Sequence, residues 1–177
     1  YYINKFYNKD IVAVDMTVGN GNDLYNIAKV VNKESELFGF DIADTAIENS
    51  KIKLNEFKDF NITLVLDNHI SIRKHIKDNI DLAIYNLGFL PGGNKKITTN
   101  YLDVIKSLEV LLKQLNPEGL IIITFYPGHE SGLEESVKVE EYLKTLNQKE
   151  YNILKYDFIN QINNPPYVVI LERGNLE

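Results

Sequence analysis

The chain predicts an α/β fold built on a mostly parallel sheet, and three observations carry that expectation. Short apolar runs alternate with longer amphipathic stretches, the pattern of successive βα units. One late run, "GLIIITFY" (119–126), is apolar on both faces, as a central strand covered by helices on either side must be. The last two runs are joined only by the turn-rich link "NQINNPP". A parallel crossover needs about a dozen residues, so these two strands are expected to pair antiparallel.

Taken in order, "IVAVD" (11–15) is the first strand and "NDLYNIAKVV" the helix that follows it. "ELFGFD" (36–41) and "DTAIENSKIKLNEF" repeat the unit, and "ITLVL" (62–66) and "IDLAIYN" (80–86) are the third and fourth strands. In "TTNYLDVIKSLEVLLKQL" (98–115), apolar residues at 101, 102, 104, 105, 108, 111, 112 and 115 form one helical face, with Thr98 or Thr99 placed to cap its start. In "YNILKYDFI" (151–159), Leu154, Tyr156 and Phe158 alternate with Ile153, Lys155 and Asp157, which leaves one face partly wet and suits a strand near the edge. "YVVILE" (167–172) is the final strand. No repeat, low-complexity tract or internal linker divides residues 1–177, so one domain is expected.

Composition narrows the function classes. A chain that is 44% hydrophobic and 25% charged, with 177 residues, can bury a sizeable core. Cysteine is absent, which excludes disulfides, thiolate metal sites and cysteine nucleophiles and fits a reducing cytoplasm. No apolar run reaches the length of a membrane span, and "YYINKFYNKD" lacks the apolar core of a signal peptide. The chain opens at Tyr1 rather than Met, so residues preceding it are expected. A formal charge of -6 argues against non-specific coating of nucleic acid but leaves room for a local basic patch.

The chemistry-bearing residues fall at strand ends. "VDMTVGNGNDL" (14–24) joins the first strand to the first helix, and its Gly19 and Gly21 would let the backbone approach a ligand closely. The dinucleotide fingerprint would need a third glycine where this chain has Leu24, so a nicotinamide cofactor is disfavoured. Asp41 ends the second strand twenty residues after Gly21, where an acid can accept from both ribose hydroxyls of an adenosine; its plain alternative is to cap the helix beginning near Asp44. Asp15 either holds the glycine loop through its amides or meets ligand through water. "LDNHIS" (66–71) ends the third strand with Asp67, Asn68 and His69, polar groups able to reach an adenine edge. His69 alone is a turn or surface histidine, and without a partner at metal spacing no metal is expected.

Asn86 ends the fourth strand in "NLGF", which resembles the N-P-P-Y motif of methyltransferases that modify amino groups. In that motif the asparagine side chain and the next backbone carbonyl, here Leu87, accept hydrogen bonds from the target amine. Accepting the N–H bonds fixes the amine's direction and leaves its lone pair aimed at a sulfonium methyl, so positioning is most of the catalysis. Gly88 lies beside this motif, and Phe89 would stack on a planar base. The plain alternative is that Asn86 closes a turn and Phe89 packs in the core.

With "VDMTVGNGND", "GFDIADTAI", "LDNHISI", "YNLGFLPGGNKKITT", "FYPGHESGLEE" and "NPPYVVILER" in order, nearly the whole chain resembles a family of small class I S-adenosyl-L-methionine-dependent methyltransferases long labelled rRNA methylases. Members methylate 5-aminomethyl-(2-thio)uridine at the tRNA wobble position to its 5-methylaminomethyl form. The resemblance implies a Rossmann-like, seven-stranded sheet with an antiparallel last strand and helices on both faces. It implies cofactor contacts from Asn20, Asn22, Asp41, Ala43, Asn68 and His69. The family usually has Gln where Ala43 stands, so only backbone contact is implied there. "YPGHESGLEE" brings Tyr126, His129 and Glu134 to the same edge: His129 to remove a proton from the amine or bind a phosphate, Glu134 to bind the charged amine or cap the next helix. Glu135 reads as helix surface. Lys95 and Lys96, then Arg73 and Lys74, are the candidate contacts to phosphates of a tRNA anticodon stem-loop. A homodimer would let so small a domain grip a tRNA. Two other readings stay open: the same cofactor with an rRNA base or small-molecule amine, and a nucleotide-binding protein without catalysis.

Overall fold

The computed structural model describes residues 2–88 and 100–174. Five strands run parallel: β1 (Val12–Asp15), β2 (Glu36–Asp41), β3 (Asn61–Leu66), β4 (Ile80–Asn86) and β5 (Leu115–Phe125). β6 (Tyr151–Tyr156) and β7 (Tyr167–Arg173) complete one seven-stranded sheet in the order β3-β2-β1-β4-β5-β7-β6. β7 is antiparallel to both of its neighbours, β5 and β6, and toward β6 the short link before it requires this. The order turns between β1 and β4. From that point the chain builds outward in opposite directions, opening the crevice in which doubly wound sheets bind ligands.

Alternation along the inner strands decides which helices cover which face. Leu82 and Ile84 of β4 pack with Leu24 and Ile27 of α1 (Asn22–Ala28) and Ile47 of α2 (Asp44–Lys53). Ala83 and Tyr85 face the other way, with Ile72 of α3 (Ile72–His75), Val104 and Leu108 of α4 (Tyr101–Gln114), and Val139 and Leu143 of α5 (Glu130–Leu143). Two apolar layers therefore sandwich the sheet, each fully buried Leu or Ile contributing roughly 1.5–3 kcal/mol. β6 has only Tyr151 partly covered and the rest of its residues exposed, the wet edge that its sequence suggested.

Three details depart from the sequence reading. The cap of α4 is Asn100, whose Oδ1 accepts from the Leu102 amide at 3.0 Å; Thr98 and Thr99 lie outside the described residues. Leu102 is half exposed and does not belong to the buried face of α4. β5 begins at Leu115 rather than 119, because Leu115 already pairs with Ile80 before an irregularity in the β4 register.

The core carries one polar contact at its centre. The Tyr85 hydroxyl donates to Ser107 Oγ at 2.7 Å, while that Oγ donates to the Val104 carbonyl at 2.9 Å. Tyr85→Phe is expected to cost about 1 kcal/mol, a drop in Tm of about 2–4 °C by thermal melting.

Candidate functional site

Parallel strands deliver their carboxyl ends to one edge, so Asp15, Asp41, Leu66 and Asn86 end together there with Phe125. Between β1 and α1 the chain turns through Gly19 (φ 50°) and Gly21 (φ 76°). A Cβ on Gly21 would also lie 3.1 Å from the Ser50 Cα, so this residue both makes the turn and lets α1 approach α2. The loop is tied down from several sides. The Gly19 amide donates to Asp41 Oδ2 at 3.0 Å, Ser50 Oγ donates to the Gly19 carbonyl at 2.9 Å, and the Gly21 amide donates to the Val18 carbonyl at 2.7 Å. Asn20 Oδ1 accepts from Asn49 Nδ2 at 3.0 Å, and Asn22 is exposed. Both glycine amides are thus engaged within the protein, and what the loop offers a ligand is closeness of backbone.

Asp41 is the clamp. Its other oxygen, Oδ1, accepts from the Ala43 amide at 2.9 Å at the entry to α2, so one carboxylate joins the glycine loop to the second helix. A carboxylate has about four acceptor positions, which leaves capacity for hydroxyl donors. Beside it Ile42 is 58% exposed, an apolar surface at the ligand edge.

Asp15 holds the start of the glycine loop through one amide, that of Thr17, and does not reach the glycine amides. Its Oδ1 accepts from the Thr17 amide at 3.1 Å, and its buried Oδ2 has no partner among the described residues. Burial, with the Asp23 carboxylate next, pushes the Asp15 carboxyl up to about 8, so it is largely protonated at neutral pH. His69 is likewise buried rather than on the surface. It opens a 3-10 turn (His69–Ser71), lies edge-on to Tyr85 with ring centres 5.8 Å apart, and has no partner at Nε2 among the described residues. Burial pushes its imidazole down to about 4, leaving it neutral. Asn68 caps that turn by accepting from the Ile70 amide and donates Nδ2 to Asp103 Oδ2 at 2.9 Å. Asp67 is held down to about 2 by bonds from Ser71 and His75.

Asn86 is held at both its backbone and its side chain. Its amide donates to Thr17 Oγ1 at 2.7 Å, and its Nδ2 donates to Asp23 Oδ2 at 2.6 Å. The next amide, Leu87, donates to the Thr124 carbonyl at 2.9 Å. The Leu87 side chain is 1% exposed, so that residue has only backbone to offer a substrate. Gly88 follows at φ 148°, a conformation L side chains rarely adopt, against the Tyr126 ring. Asn86 is only partly buried, at the carboxyl end of β4.

After β5, Tyr126 is 41% exposed. His129 caps α5: its Nδ1 accepts from the Gly132 amide at 3.0 Å. An accepting Nδ1 puts the neutral ring's proton on Nε2, which is itself buried, so the ring presents no accepting nitrogen to a substrate. The His129 cap also removes capping from the roles open to the exposed Glu134. Glu135 is 4% exposed, so it faces inward and is not helix surface. Arg73 and Lys74 are exposed on α3, where the Arg73 guanidinium donates to the Lys77 carbonyl at 3.2 Å. Phe89, Lys95 and Lys96 lie outside the described residues. Among the described residues, no group of three or more His, Asp or Glu side chains is arranged to hold a metal ion, and no helix is long and apolar enough to cross a membrane.

Residues 37–172 match the family model described as "Putative rRNA methylase". The chain belongs to this rRNA methylase family. Over 183 residues it is 30% identical to a protein of Arabidopsis thaliana named "tRNA (mnm(5)s(2)U34)-methyltransferase, chloroplastic", a match covering 94% of this chain and 65% of the plant protein. This rRNA methylase family chain thus spans less than two thirds of that relative's length. A solved structure from Clostridium thermocellum, described as a "putative rRNA-methylase", superposes with a TM-score of 0.93 at 38% identity, covering 97% of this chain and 93% of that one. A methyltransferase structure from Streptococcus mutans, in complex with SAH, superposes with a TM-score of 0.88 at 29% identity, covering 97% and 93% of the two chains.

Sequence reasoning about this rRNA methylase family chain missed Thr17, Asp23 and Ser50. Thr17 and Asp23 stand inside the glycine-loop motif, yet their partner is Asn86, and only the sheet order brings the two segments together.

Proposed function

We propose that the chain is an S-adenosyl-L-methionine-dependent methyltransferase acting on the amine of 5-aminomethyl-(2-thio)uridine at the wobble position of tRNA. The observation that carries the reading is the placement of Asn86 at the carboxyl end of β4, next to the glycine loop that follows β1. The fit to the cofactor is supported by two buried polar atoms at this edge without partners among the described residues, Asp15 Oδ2 and His69 Nε2. The glycine loop would lie against the cofactor, Asp41 would accept from ribose hydroxyls, and Ile42 with Asn68 and His69 would face the adenine. When bound, the cofactor supplies an electrophilic sulfonium methyl, and S-adenosyl-L-homocysteine is the product left behind.

The chain's own contribution is orientation. Asn86 Oδ1 and the Leu87 carbonyl would accept the amine's N–H bonds and hold its lone pair in line for attack, a placement that replaces a strong base. The methylated amine then sheds its proton to solvent, because the accepting nitrogen of His129, Nδ1, is already taken by the Gly132 amide. The tRNA assignment is supported by the name of the plant relative, and the description of the family favours rRNA as the second reading.

The test is methyl transfer from labelled S-adenosyl-L-methionine to bulk tRNA and rRNA from cells lacking this activity, with nuclease-treated controls. Label is expected in tRNA, at the wobble nucleoside after digestion. Label confined to rRNA would overturn the tRNA reading, and none in either RNA would overturn RNA methylation.

A further inference from the structure

The connection between β1 and α1 has two attachments that lead in different directions. Through Gly19 it is clamped by Asp41, on the side where a cofactor would lie. Through Thr17 Oγ1 and Asp23 Oδ2 it grips Asn86 at both backbone and side chain, at 2.7 and 2.6 Å. The second grip has a chemical consequence. A carboxylate only accepts hydrogen bonds, so Asp23 decides which end of the Asn86 amide turns toward it and which turns away. The oxygen and NH2 ends are close in size, and a half-turn about the terminal side-chain bond exchanges them. In the exchanged orientation Asn86 would donate into the amine lone pair that must attack the methyl group, the opposite of what transfer requires.

We propose that Asp23 is a positioning residue for methyl transfer: its bond to Nδ2 locks Asn86 with Oδ1 as the atom presented to the target amine. This deepens the function proposed above and rests on the reading of Asn86 as the amine's acceptor. Backbone geometry supports the lock. Asp23 stands in the first turn of α1, whose start is set by the left-handed turn at Gly21, and β4 is held against this turn by the Thr17 bond. The lock is specific to an acceptor at position 23. Asparagine there would preserve size but accept either orientation of Asn86, since it carries both a donor and an acceptor.

The test compares Asp23→Ala, Asp23→Asn, Asn86→Ala and the double variant Asp23→Ala with Asn86→Ala. It measures single-turnover methyl transfer to tRNA from cells lacking this activity, which retains the unmethylated 5-aminomethyl amine, together with KM for that tRNA, Kd for S-adenosyl-L-methionine, and Tm. Asp23→Ala, which frees the Asn86 side chain altogether, is expected to lower the transfer rate about tenfold, the size expected for loss of a charge-assisted bond; Asp23→Asn, which leaves both orientations of Asn86 populated, is expected to lower it about twofold or more. KM and Kd should stay within about threefold. Adding Asp23→Ala to Asn86→Ala is expected to cause no further loss, because nothing remains to be locked. Full transfer by both Asp23 variants, with Asn86→Ala inactive, would overturn the lock and leave the reading of Asn86 standing. A further tenfold loss in the double variant, or a loss confined to Kd, KM or Tm, would also overturn it. Full transfer by Asn86→Ala itself would overturn the reading on which the lock rests.

Discussion

Asn86→Ala is expected to lower methyl transfer on the order of a hundredfold or more while S-adenosyl-L-methionine still binds within about threefold of the parent. The asymmetry follows from the site. The cofactor's proposed partners, Asp41 and the glycine loop, are tied to each other and to α2 by bonds that do not involve the Asn86 side chain. The amine, in contrast, would lose its acceptor and with it the direction of its lone pair. Equilibrium binding and single-turnover transfer on the same preparation separate the two effects. Transfer at the parent rate would remove Asn86 from the mechanism.

The second large effect concerns stability and pH. The Asp15 carboxyl is 1% exposed, and burial, followed by the charges of Asp23 and Asp41, raises it from 3.8 to about 8. A carboxyl raised in the folded protein contributes its full stability below the unfolded value and loses it progressively as pH climbs toward the folded one. Between about pH 4 and pH 8 this one group therefore removes about 1.4 kcal/mol per pH unit at most. Asp15→Asn keeps the size of the side chain and an oxygen for the Thr17 amide, and it cannot ionise. In the ligand-free protein the variant is expected to melt within about 1 kcal/mol of the parent at pH 4–5. It should exceed the parent by about 3 kcal/mol or more at pH 8. Melting curves across that range check it, the difference between the two proteins cancelling other titrations such as that of Asp67. Parallel pH profiles for parent and variant would show that Asp15 does not carry the dependence.

Much of this arrangement could be read from the chain because the inner strands are marked by burial. "IDLAIYN" and "GLIIITFY" are apolar on both faces, and the polar residues that end each run fall at the ligand edge by the geometry of parallel strands. The closing hairpin followed from the length of its link. What could not be read were pairings between distant segments. Asp23 meets Asn86 across 63 positions of sequence, and nothing local distinguishes it from any acid in the first turn of a helix. Asp15 was ambiguous for the same reason: which loop amide its carboxyl reached depended on Asp41, which arrives from another strand and takes that of Gly19, while Asp15 takes that of Thr17. Glu135 was assigned outward because acids on helices usually are, yet it shares the buried side of α5 with Gly132, Ser136 and Val139. The cap of α4 moved from a threonine to Asn100, a difference of a residue or two of the kind that end effects commonly produce.

The position of β7 bears on how the molecule comes into being. It is an interior strand, bonded on one side to β5 and on the other to β6, yet it follows both in the chain. Until residues 167–173 emerge from the ribosome, β5 has an unpaired apolar edge and β6 has no place to dock. The pairing of β5 and β6 into one sheet therefore waits on residues 167–173. A stop codon just before Tyr167 would remove the strand that joins β6 to β5 and leave β6 with no partner in the sheet.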